Sequence, residues 1–223
     1  MLKPFRRFAG PALVLAAPIL AALAPSVQSG VGPAARAASF DCAKAATPTE
    51  HAICNSPELS ALDGRLGAVY DQRVALDPGL RQIQRGWLAA RNTGCGADRV
   101  CLADFMNAEL AWFASGASRP TDRLPVNPGV CGLSNISDVG TRLEGTPGSG
   151  SAVSEGDGAD QVSYDTVAAI DRSRRGDPVL VCLVSLPTNC PAGDDRGKIY
   201  AVANLRTLGA WSAPDSEHSC GGA

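Results

Sequence analysis

Between residues 41 and 115 the apolar positions recur at three-and-four spacing, and the breaks between runs carry helix-start signals. Thr47-Pro48-Thr49-Glu50 reads as a capping box with proline in the first helical position, so a short first helix is predicted to end near Cys54. Ser56-Pro57 opens a second helix whose stripe is Leu59, Leu62, Leu66, Val69 and Val74. Asp77-Pro78 opens a third, carrying Leu80, Ile83, Trp87 and Leu88. Asp98 caps a fourth, carrying Leu102, Phe105, Met106, Leu110 and Phe113. Each is too short to persist alone, so the stripes must pack on one another.

The pattern changes past residue 115. Gly116, Pro120, Pro125, Pro128 and Gly129 mark residues 116–130 as a stiff polar linker and the expected domain boundary. Beyond it, Pro178–Leu186 is continuously apolar and β-branched, as expected of a strand buried on both faces. Lys198–Leu205 is a second strand, and the Pro-, Gly- and Asp-rich stretch between the two would close a long hairpin. Val162, Tyr164 and Thr166 alternate with polar residues and suggest a third strand; Gly145–Gly150 is a flexible loop. The expected fold is α+β: a small disulfide-bonded helical N-terminal domain of four short helices over 38–115, then a mainly antiparallel β C-terminal domain over 131–223.

The first 37 residues stand apart from both. Lys3, Arg6 and Arg7 precede an apolar run over residues 11–24, and small residues follow up to Ala35-Arg36-Ala37. This is the three-part grammar of a secretory signal, with cleavage expected near Ala37. The run is shorter than a bilayer-spanning helix and interrupted by proline, so no membrane span is expected after cleavage. The product is expected in the periplasm or secreted.

Cleavage removes four of the 20 basic residues and none of the 22 acidic ones, leaving a formal charge of −6. That balance argues against a nucleic-acid partner and favours a cationic one. The excess lies in the C-terminal half, where Glu155, Asp157, Asp160 and Asp165 form a run without a basic residue; it reads as a solubilising loop or as a docking face.

All eight cysteines, Cys42, Cys54, Cys95, Cys101, Cys131, Cys182, Cys190 and Cys220, lie in the exported part. An even count in an oxidising compartment reads as four disulfides. A zinc site from Cys182, Cys190, His218 and Cys220 is the rival reading, but no C-x-x-C pair supports it and no metal or other cofactor is expected.

The helical half resembles the N-terminal domain family named for the mycobacterial lysozyme inhibitor LprI. The resemblance rests on Cys42, Glu50, Ile53-Cys54, Pro57, Leu59, Leu62-Asp63, Leu66 and Tyr70, then Gln84, Trp87-Leu88, Arg91, Cys95 and Cys101-Leu102, in that order. It implies a small disulfide-bonded helical domain of exported bacterial proteins whose named activity is inhibition of lysozyme. The chain departs from the family's commoner pattern at Met106 and Glu109-Leu110, where Glu109 reverses a charge. The C-terminal half resembles an uncharacterised extension attached to such domains.

Glu50, Asp63, Tyr70, Gln84, Trp87 and Arg91 are read as structural motif residues, with Trp87 and Tyr70 in the core and Asp63 and Arg91 paired or bonded to helix ends. Of the three pairings open to the N-terminal cysteines, the nested one, Cys42–Cys101 with Cys54–Cys95, is expected because it ties the chain's start to the last helix. In the C-terminal half no pairing is decided, with Cys190–Cys220 and Cys131–Cys182 preferred.

No catalytic set is evident. His51 adjoins Glu50 in the first helix, His218 has no G-x-S-x-G serine to serve, and Asp194-Asp195 and Arg175-Gly176-Asp177 read as turns. The chain is therefore expected to be a binding protein of the cell envelope and not an enzyme. The expected partner is a lysozyme or another cationic envelope protein. Such an inhibitor would attract its target through acidic surface or plug its two-carboxylate cleft with a cation, for which Arg196 with Lys198, or the turn at Arg172 with Arg174 and Arg175, are the candidates. The alternative is a structural or assembly module that binds another envelope protein or peptidoglycan without inhibiting anything.

Overall fold

Local hydrogen bonds start three of the four main helices where the sequence places them. In the computed structural model, which describes residues 37–222, the Glu50 amide donates to Thr47 Oγ1 at 3.2 Å and the Thr47 amide to Glu50 Oε2 at 2.9 Å, completing the capping box of α1 (Pro48–Cys54). Ser56 Oγ accepts from the Leu59 amide to open α2 (Pro57–Leu76). Asp98 caps α4 (Arg99–Ala114) by accepting from the Val100 and Cys101 amides. The third, α3 (Leu80–Cys95), begins a turn later than Asp77, whose carboxylate instead accepts from the Gly79 amide. The signal segment expected over residues 1–37 lies outside the described residues but for Ala37. Among the described residues no helix is long and apolar enough to cross a membrane.

The N-terminal disulfides correct the expected pairing. The bonds are Cys42–Cys54 and Cys95–Cys101, with Cα separations of 5.7 and 5.4 Å, and not the nested pair. A 3-10 turn (Cys42–Lys44) places Cys42 beside the end of α1. Gly96, at φ 54°, reverses the chain after α3, which brings Cys95 onto the first turn of α4. The tie between α1 and the α3–α4 turn is made by a hydrogen bond instead: buried Thr49 Oγ1 donates to the Gly96 carbonyl at 2.6 Å.

The remaining residues form a six-stranded sheet in the order β3-β2-β1-β4-β5-β6, with antiparallel neighbours throughout. The strands are β1 (Cys131–Thr141), β2 (Ser151–Glu155), β3 (Asp160–Ser163), β4 (Pro178–Ser185), β5 (Ile199–Asn204) and β6 (Ala210–Pro214), with a one-turn helix α5 (Ala168–Asp171) before β4. The sheet curls until its edge strands meet. Gln161 on β3 donates to the Tyr200 and Ala213 carbonyls at 3.0 and 2.8 Å and accepts from Trp211 Nε1 at 2.8 Å. Inside the curl lie Ile136, Val153, Val179, Val181, Leu183, Val202 and Trp211.

Alternate positions on β4 and β5, Leu180, Cys182, Ala201 and Ala203, point outward into the helical core of Ile53, Leu59, Trp87, Leu102 and Phe105. Helices and sheet thus share one core, which explains why β4 is apolar on both faces. Two glycines on α3 make the approach possible. A Cβ at Gly94 would sit 2.7 Å from Val184 Cγ2 and 2.8 Å from Ala201 Cβ, and one at Gly86 would collide with Leu205. Residues 116–130 lie along this junction: Pro120, Pro125 and Gly129 are buried, and the Gly129 amide donates to the Leu183 carbonyl at 2.8 Å. The two remaining disulfides are Cys131–Cys182, between directly opposed residues of β1 and β4, and Cys190–Cys220. Their sulfurs are therefore not available as the thiolates a zinc site would need.

Candidate partner-binding site

Within α2, Asp63 follows Leu62 and shares its inward side; Arg91 occupies the last turns of α3. Arg91 Nη1 lies 3.6 Å from Asp63 Oδ1, with side-chain exposures of 5% and 7%. The second carboxylate oxygen is saturated from the segment preceding α1, accepting from the Ser39 amide at 2.8 Å and from Ser39 Oγ at 2.6 Å. Arg91 Nε and Nη2 donate to Asn92 Oδ1, and the guanidinium stacks 5.0 Å from the Trp87 ring centre. Burial pulls the Arg91 guanidinium below its ordinary value, and the Asp63 charge opposes that pull.

This pair forms the floor of a cavity of about 180 Å³ between α2 and α3. Tyr70 and Gln84 line it as well, so four of the six motif residues converge there. The other two serve elsewhere. Glu50 completes the α1 cap, where the Ala46 and Thr47 amides hold its carboxylate below its usual range. Trp87 is fully buried beneath Arg91, and its Nε1 has no hydrogen-bond partner. Gln84 Oε1 and Arg91 Nη1 are likewise buried without one. The rim consists of exposed Arg81, Arg85 and Leu88. Positions 81, 84, 85, 88 and 91 follow helical spacing, so this α3 face is visible in the sequence, although only Gln84 and Arg91 are singled out there. With Arg91 matched by Asp63, the exposed guanidiniums of Arg81 and Arg85 leave the rim with positive charge suited to an anionic group.

The C-terminal cation candidates sit in different surroundings. Arg196 pairs with Asp194 at 2.9 Å, and Lys198 with Asp195 at 2.6 Å and Asp215 at 3.5 Å. Hydrogen bonds from Arg196 and Lys198 hold the Asp194 and Asp195 carboxylates below their usual range. These two cations are therefore matched within their own loop. Arg175 is exposed, and Arg174 is exposed while lying 3.5 Å from Asp177. Asp177 itself is buried and accepts from Arg206 Nε at 2.5 Å, Arg206 Nη2 at 2.7 Å and Asn204 Nδ2 at 2.8 Å, which holds it well below the usual carboxylate range. The Arg175-Gly176-Asp177 tripeptide is thus a turn whose aspartate faces inward.

The acidic run is not uniformly solvated. Asp160 and Asp165 are exposed, but Glu155 is 3% exposed with both carboxylate oxygens unpartnered. Burial, reinforced by Asp157 and Asp160, pushes its carboxyl up to about 8. Glu109, the charge-reversed position on α4, is also buried, and burial raises it to about 8.

Residues 42–122 match the family described as Lysozyme inhibitor LprI. The helical half is similar to this family, and the α2–α3 cavity lies almost wholly within the matched span. Relatives include Lipoprotein LprI of Mycobacterium bovis and of Mycobacterium tuberculosis, each 27% identical over 107 residues, or 46% of this chain and 54% of theirs. The chain spans about half the length of the curated relatives it matches. No solved structure matches it.

Proposed function

We propose that this chain is an exported envelope protein, cleaved near Ala37, that binds and inhibits a lysozyme-type muramidase through its helical half. The observation that carries the reading is the coincidence of two things: the match to a lysozyme-inhibitor family over residues 42–122, and a cationic, hydrogen-bonding cavity lined by that domain's own motif residues. Glycosidases of this kind work with a pair of carboxyl groups in an open cleft. Arg81 and Arg85, one helical turn apart beside exposed Leu88, supply two guanidiniums and an apolar contact to such a cleft. They suit the role better than Arg196 and Lys198, whose charges are already matched.

The test is muramidase turnover in the presence of the mature protein. Inhibition by wild type, weakened at least 30-fold (about 2 kcal/mol) in R81E/R85E but not in R174E/R175E, is the expected result. Equal inhibition by wild type and R81E/R85E would move the site off this face. No inhibition at excess wild type against several lysozymes would overturn the function itself.

A further inference from the structure

A second, larger cavity of about 470 Å³ opens where the helical half meets the sheet, within the range of small-ligand sites. Its apolar wall comes from Ile83 on α3, Leu133 on β1, and Pro178 and Leu205 at adjoining ends of β4 and β5. Its polar wall comes from Ser134, Asn135 and Asp157. The surrounding backbone is tied at each corner. The Leu133 amide donates to the Thr121 carbonyl at 2.7 Å, the Gly156 amide to Asn135 at 2.8 Å and the Leu205 amide to Pro178 at 2.8 Å. Gln82 Nε2 holds the Leu205 carbonyl from α3. The cavity is therefore built by the fold and needs no rearrangement to exist.

Its charge is one-sided. Arg119, the single cation among the lining side chains, is bound to Asp122 at 2.6 Å and neutralised. Asp157, half-buried on the cavity wall, has no such partner: among the described residues no basic side chain pairs with it, and its Oδ1 takes only a long 3.4 Å bond from the Ala159 amide. A carboxylate on the cavity wall without a basic partner offers a cationic ligand group a charge-assisted hydrogen bond.

We propose that this cavity binds a small amphiphilic ammonium compound, its ammonium at Asp157 and its hydrocarbon body against Ile83, Leu133, Pro178 and Leu205. This site is separate from the α2–α3 cavity, and its test does not depend on lysozyme. The probe is n-hexylammonium, titrated into the mature protein and followed by calorimetry and by amide chemical shifts. Saturable binding is expected, with shifts centred on Leu133, Asn135, Gly156 and Ile83. It should weaken about 10-fold or more with n-hexanol in place of the amine, and vanish with hexanoate. Asp157→Asn should cost a similar factor; Ile83→Arg, which places a cation in the cavity without touching the carboxylate, should block binding if Asp157→Asn fails to fold. No saturable binding of hexylammonium, or unchanged binding in a folded Asp157→Asn or Ile83→Arg protein, overturns the proposal.

Discussion

Asp63 and Arg91 face each other from α2 and α3 at 3.6 Å, almost fully withdrawn from water, and Ser39 closes the pair by donating twice to the free carboxylate oxygen. The pair joins the two walls of the candidate site to the segment that follows Ala37. Removing one partner leaves the other charge buried. Asp63→Leu or Arg91→Met should therefore lower unfolding free energy by about 3–5 kcal/mol, whereas combining the two into an apolar pair should recover most of it. Chemical denaturation of the three variants checks this. Equal loss in single and double variants would mean that the charges stabilise nothing beyond their packing.

The disulfide pattern has a direct chemical test. Non-reducing peptide mapping of the protein should release Cys42–Cys54 and Cys95–Cys101 as separate fragments. Their short loops, with separations of 12 and 6 residues, should contribute about 3 and 2 kcal/mol in the chain-entropy picture. Cys131–Cys182, with a separation of 51, should contribute about 4 kcal/mol. Replacing Cys95 and Cys101 by serine should thus be the mildest of these three double substitutions.

Why the expected pairing failed shows where the sequence stops being legible. The starts of α1, α2 and α4 are set by bonds spanning two or three residues, Glu50 to Thr47, Leu59 to Ser56 and Val100 to Asp98, and such bonds are written locally. The Cys pairing depends on Gly96 turning the chain back, which no neighbouring residue announces. β4 and β5 are legible because burial on both faces leaves an uninterrupted apolar run. β1 is not: Cys131–Thr141 carries glycine, asparagine and aspartate, and its strand form comes from ladders with β2 and β4. β6 is brief, with Trp211 and Ala213 as its inward signal. In the candidate site, Asp63, Tyr70, Gln84 and Arg91 stand out as motif residues, but their convergence on one cavity requires the packing of α2 on α3.

That α3 lies so close to the sheet rests on small residues. Gly94→Val must push Val184 and Ala201 aside, and Gly86→Leu must displace Leu205. Either should cost about 1–3 kcal/mol through overpacking. Gly94→Ala should cost less, because one methyl meets the two side chains at 2.7 and 2.8 Å without reaching further. Thermal unfolding of the series would rank them. A neutral Gly94→Val would mean that the helices and sheet do not pack this closely in solution.

Stability should also depend on pH in an unusual direction. Glu109 and Glu155 ordinarily titrate at 4.5 but stay protonated in the folded chain until about 8. Between those limits the folded state holds more protons than the unfolded one, so stability falls as pH rises and levels off above about 8. Asp177 acts oppositely. Chiefly through the Arg206 hydrogen bonds, its carboxylate lies below its ordinary 3.8, so its contribution is present above that value and is lost toward lower pH. Together they place the stability maximum at about pH 4, between the two ordinary values of 3.8 and 4.5. Urea midpoints from pH 3 to 9 (~1-unit steps) should trace that maximum. Glu109→Gln and Glu155→Gln should each flatten the decline above pH 5 (roughly the onset of glutamate ionisation in the unfolded chain) and raise stability at alkaline pH by a few kcal/mol at most. A profile that stays level from pH 5 to 9 in wild type, a range spanning roughly both ionisations, would show that these two carboxyls find partners or water in solution.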